Sequence, residues 1–103
     1  MARKITDRDL IGMVDRLSRI TNSPRTPYLR YDGRTVAQIG NFHLSHAYGG
    51  VCVHRMCNDG GGVSDVLSIG HVPKRELYSA LYAFIRGMEF AESESVNHRG
   101  IQP

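Results

Sequence analysis

Three turn signatures, Asp32-Gly33, Tyr48-Gly49-Gly50 and Asn58-Asp59-Gly60-Gly61-Gly62, cut the middle of the chain into short runs. Positive φ costs little only for Gly, Asn and Asp, so each signature marks a place where an antiparallel chain can reverse. Tyr28-Leu29-Arg30-Tyr31 and Arg34-Thr35-Val36 flank the Asp-Gly pair as a hairpin. The second strand is predicted to continue over 34–46. Ala37 and Ile39 are apolar at odd positions, Phe42 and Leu44 at even ones, so a one-residue bulge at Gly40-Asn41 is needed to keep one face inward. A third strand is expected over 51–57 and a fourth over 63–69. Five of the eleven glycines crowd the ends of the third strand. A tight turn needs at most two such residues, so the surplus at the Asn58-to-Gly62 tip predicts a bulge, a mobile tip or a backbone cradle for a partner.

The meander lies between two amphipathic segments. Thr6 can cap a helix whose first turn carries Asp7 and Asp9, with Ile5 stapled onto Leu10. Leu10, Met13, Val14, Leu17 and Ile20 form its apolar stripe, and Asn22-Ser23-Pro24 stops it near Thr21. Pro73 opens a second helix with Leu77, Leu81, Phe84 and Met88 as the buried stripe, flanked by Tyr78, Tyr82 and Ile85. That helix is expected to end near Glu92, leaving 93–103 as a flexible tail. The reading is an α+β domain over 1–92: a four-stranded antiparallel meander with both helices on one sheet face and the other face open.

At 103 residues the chain supports one modest core. No apolar run reaches the roughly 18 residues of a membrane span. The N-terminus shows no apolar signal-peptide core, which predicts a cytoplasmic protein. Cys52 and Cys57 are predicted to lie on opposite faces of one strand, so no disulfide between them is expected. Eleven of thirteen basic residues are Arg, yet the net charge is only +3. Without a basic stripe interleaved with aromatics, that charge predicts weak nucleic-acid binding at most.

No catalytic signature surrounds Ser45, Ser64, Ser68, Cys52 or Cys57, although His43, His54 and His71 could each serve as a base. Cys52 and His54 share a face and His43 could lie opposite one of them, but the spacing is not that of a zinc site. No metal, cofactor or catalytic residue is therefore assigned, and folding is expected to need neither metal nor disulfide.

Two local conflicts are more informative. Lys74 and Arg75 sit in the first turn of a helix, where its dipole disfavours cations. With Tyr48, Gly49, Gly50 and His71 they make a candidate anion-binding site at one end of the sheet. The third strand takes a polar residue inward whichever face is buried. A buried Arg55 would need Asp65, and an outward Arg55 would stand on an open face as a platform for a base, a phosphate or an acidic partner. Arg55 and Asp65 with Asn58, Gly60, Gly61 and Gly62 are a second candidate contact.

The stretches "IGNFHLSHAYGGVCVHRMCNDGGGVSDV" and "GHVPKRELYSALYAFIRGM" make the chain resemble a set of small proteins encoded by tailed bacteriophages and prophages. The likeness rests on Ala47-Tyr48-Gly49-Gly50, on Asn58 with Gly60-Gly61-Gly62, and on Lys74-Arg75-Glu76-Leu77. It implies a viral accessory protein acting in the host bacterial cytoplasm, and it brings no activity or site residue with it. The expected function is non-enzymatic: binding a host protein or a small anionic ligand such as a host nucleotide, in the manner of a counter-defence factor. A nucleic-acid-binding accessory protein is the alternative, then a small enzyme. The open sheet face would also suit a homodimer.

Overall fold

The structure is a computed structural model that describes residues 3–101, with side chains through 95. It is an α+β fold with the order α1 (Asp7–Thr21), β1 (Tyr28–Tyr31), β2 (Arg34–Ala37), β3 (Phe42–Ala47), β4 (Gly50–Met56), β5 (Val63–Asp65) and α2 (Lys74–Ile101). The strands form two antiparallel sheets, β1-β2 and β3-β4-β5.

Helix α1 begins as its sequence dictates. Thr6 accepts the Asp9 N–H and the Asp9 carboxylate accepts the Thr6 N–H, a closed capping box. Asn22 in the left-handed region ends the helix. Leu10, Met13, Val14 and Leu17 turn inward with Ile5 and meet Leu77, Leu81 and Ile85 of α2. Both groups close over Phe42, Val51 and Val53 on one face of the larger sheet. The α2 stripe is Leu77–Leu81–Ile85, spaced by four; Phe84, expected inside, is exposed. Arg16 clamps the helices together through Glu89, with both carboxylate oxygens 2.7 Å from its Nη2. No described helix is long and apolar enough to cross a membrane.

Three boundaries differ from expectation. The strand predicted over 34–46 is two strands in separate sheets. Residues 38–41 break it rather than bulge it: the Gly40 N–H donates to the Met56 carbonyl, and the buried Asn41 donates through Nδ2 to the Pro24 carbonyl. The chain turns there instead of keeping one register. The fourth strand stops at Asp65 because the Asp65 side chain captures the Ser68 and Gly70 N–H groups and curls the chain into a loop. Helix α2 does not end near Glu92 but continues to Ile101, since no proline interrupts residues 93–101. Residues 102–103 of the expected tail lie outside the described residues.

Candidate functional site

Strand β4 divides the chemistry of the molecule. Its register with β3 pairs Phe42 with Arg55, Leu44 with Val53 and His46 with Val51 on the helix-covered face. The opposite face carries His43 against His54 and Ser45 against Cys52, and β5 adds Asp65 beside His54. A two-sided sheet in so short a chain would ordinarily solvate this second face. Here Cys52 is fully buried, and His43, Ser45, His54 and Asp65 are half-buried.

The cover comes from the loop over 66–72. After Asp65 the chain leaves β4, takes left-handed φ at Ser68 and Gly70, and returns to make a two-way backbone bridge between Val51 and Val72, at 2.8 and 3.0 Å. Gly50 permits that return. A Cβ there would stand 2.8 Å from the His71 carbonyl carbon and 2.9 Å from the Val72 nitrogen. The close approach at this glycine is made by the chain's own backbone.

The loop delivers His71 onto the polar face. Its Nε2 lies 3.0 Å from Ser45 Oγ, and its ring meets His54 edge-on at 5.8 Å and Tyr48 at 5.6 Å between centroids. His54 in turn meets His43 at 5.9 Å, and His43 Nδ1 is held 3.0 Å from Asn41 Oδ1. Three imidazoles therefore stand in a row, with Tyr48 at one end and Asn41 at the other. Cys52, His54 and His71 each place a ligating atom within 4.8 Å of the others.

The electrostatics follow from the burial. Burial pushes the Cys52 thiol up to about 11, and the neighbouring Asp65 carboxylate adds to the effect. Asp65 is itself raised by burial, but the Gly70 N–H, the Cys52 thiol and the Ser68 N–H more than offset this, leaving it an anion below the usual carboxylate range. Burial lowers His43, with His54 adding to the effect, so its neutral form is favoured.

The six residues expected to hold an anion are divided by the sheet. Tyr48 and His71 belong to the polar face. Gly49, Gly50 and Lys74 line a shallow groove of about 350 Å³ with His46, Ala47 and Val51. Lys74 lies 3.4 Å from Asp7, which also contacts His46 at 3.1 Å, and Arg75 donates to the Arg3 carbonyl. The first-turn cations of α2 thus hold down the start of α1. Tyr48 and Gly49 both have positive φ and form a two-residue hairpin turn.

The second group is also separated. Arg55 does not reach Asp65; its guanidinium sits 4.5 Å over the Phe42 ring and its Nε donates to the Gly40 carbonyl. The glycine-rich tip closes on Asn58, whose Oδ1 accepts the Gly60 and Gly62 N–H groups. A Cβ at Gly62 would fall 2.4 Å from Asn58 Nδ2, so this glycine serves the loop's own closure.

Sequence reasoning missed the approach of His71 to Ser45, Cys52 and His54. The signal was local: an Asp followed at three and five residues by Ser68 and Gly70, a pattern that bends a strand into a loop.

One further surface stands apart. In the β1-β2 hairpin, Leu29, Tyr31, Arg34 and Val36 share a face, and Leu29 and Tyr31 are 52% and 68% exposed. Ala37 is the hairpin's one buried residue. Compared with known proteins, the chain matches no family model, no curated protein and no solved structure.

Proposed function

We propose that this chain is a non-enzymatic accessory protein that binds a partner protein through its β1-β2 hairpin. The observation that carries this is one face of the hairpin: exposed Leu29 and Tyr31 with half-buried Val36 beside Arg34, on an arm that fully buries only Ala37. A two-stranded hairpin is marginal in water unless something covers it. Tyr and Arg around an aliphatic centre are also the residues that concentrate binding energy at interfaces. Among the described residues, no carboxylate pairs with His71 to complete a catalytic relay from Ser45. The resemblance to small phage proteins is the ground for looking for that partner in a bacterial host.

The test compares capture from host lysate by the natural chain and by a Leu29→Ser, Tyr31→Ser, Val36→Thr variant. The reading expects a discrete partner lost in the variant while the melting temperature moves little. A partner retained at the same yield would place the interface elsewhere. Arg34 paired with Tyr31 on that face favours single-stranded nucleic acid as the second reading. Submicromolar, steeply salt-dependent binding of an oligonucleotide, lost in the same variant, would put it first.

A further inference from the structure

We propose that Cys52, His54 and His71 form a binding site for a thiophilic divalent cation of the zinc class. The three residues offer one thiol sulfur and two imidazole nitrogens, all within 4.8 Å of one another. In a tetrahedral zinc site such atoms stand about 3.4 Å apart, given metal distances of about 2.3 Å to sulfur and 2.0 Å to nitrogen. Closing a gap of up to about 1.4 Å takes rotations of the half-buried His54 and His71 side chains. The site draws on two separate segments, β4 and the loop over 66–72, so strand spacing alone could not reveal it.

The surroundings resemble those that orient metal ligands. Ser45 Oγ holds the His71 ring at 3.0 Å. Asn41 holds His43, whose ring meets that of His54 edge-on. The Val51–Val72 bridge and the two N–H groups captured by Asp65 fix the loop that carries His71. On binding, the Cys52 thiol proton leaves to solvent and the sulfur bonds the cation. Thiolate with imidazole selects zinc, cobalt or nickel over magnesium and calcium, which prefer oxygen ligands. Three protein ligands leave a fourth position to solvent.

This inference does not depend on the hairpin's partner, and its readouts do not involve one. The chain is treated with a chelator, dialysed, and titrated with Zn²⁺ by calorimetry and with Co²⁺ by absorbance. One equivalent of each is expected, with a thiolate-to-cobalt charge-transfer band. Cys52→Ser should abolish the band, and His54→Gln and His71→Gln should each weaken Zn²⁺ binding by about tenfold or more. Cys57→Ser and His46→Gln, which alter the exposed cysteine and a histidine on the helix face, should change neither readout. Should Cys52→Ser not fold, the two histidine variants decide. Absence of binding below millimolar Zn²⁺ would overturn the proposal. So would equal affinity in the natural chain and in His54→Gln and His71→Gln.

Discussion

The two faces of β4 use the same backbone for opposite ends. Val51 and Val53 point into the cluster shared by both helices, and their neighbours across the sheet are Leu44 and His46. Cys52 and His54 point the other way, and their neighbours are Ser45, His43 and Asp65. Cys52 is as deeply buried as the valines, at 1% exposure, yet its surroundings are polar and titratable. Burial alone therefore does not identify a core. One face is closed by apolar helix stripes and contributes stability through area removed from water. The other is closed by a loop that Asp65 bends and Gly50 admits, and it holds chemistry instead.

The contrast can be broken most severely from the apolar side. Leu81→Ala removes a fully buried side chain from the junction of α2 with α1 and β4 and should cost about 2–5 kcal/mol, read by denaturant unfolding. His54→Ala on the metal-free protein should stay within about 1 kcal/mol of the natural chain, since the half-buried ring is no part of the apolar cluster. Comparable losses from both would erase the distinction between the faces.

Gly50→Ala attacks the link between them. The added Cβ meets the backbone of His71 and Val72 at 2.8–3.0 Å, so the Val51–Val72 bridge must open. The expected cost is about 1–3 kcal/mol. It should come with faster amide exchange at Val51 and Val72, which donate that bridge's two bonds.

Most of the apolar face was legible in the sequence, and little of the polar one was. The α1 stripe, the Thr6 cap and the Asp32-Gly33 and Tyr48-Gly49 turns follow from periodicity and positive-φ chemistry, which act over a few residues. The faces of β4 followed from alternation, and so did the sharing of one side by Cys52 and His54. What alternation could not show is where a strand stops. Asp65 ends β5 through two side-chain-to-backbone bonds, and that ending turns His71 from a residue of the connection before the second helix into a neighbour of Cys52. The break at 38–41 was misread for the same reason, because Asn41 finds its partner at Pro24, distant in sequence. Lys74 and Arg75 looked like an unsatisfied pair only because Asp7 and the Arg3 carbonyl approach through tertiary packing.

A gentler test concerns acid. The Arg16 guanidinium holds the Glu89 carboxyl below its usual 4.5. Between that value and the lower folded one the unfolded chain binds the extra proton. The pair's stabilisation is therefore present above pH 4.5 and is lost as pH falls through the folded value. Glu89→Gln should flatten the acid side of a melting-temperature profile while leaving the slope near neutrality unchanged. A small effect of opposite sign is expected at Tyr48, a bulky residue at φ 55 and 96% exposed. Tyr48→Asn should relieve strain and raise stability by about 1 kcal/mol. A fall in stability would mean that the contact of Tyr48 with His71 outweighs the strain.

Thermal unfolding of the chelator-treated chain, with and without Zn²⁺ at about a hundredfold over its dissociation constant, tests the division of β4 most directly. The metal-free chain should unfold cooperatively from a folded state, since the helix-covered face contains none of the three ligands. Zn²⁺ at that level stabilises the native state by about 2.7 kcal/mol. That corresponds to a rise of roughly 10–20 °C for a domain of this size. The rise should shrink sharply in His71→Gln. Superimposable curves with and without Zn²⁺, or an equal rise in His71→Gln, would contradict the assignment of the polar face of β4 to a ligand.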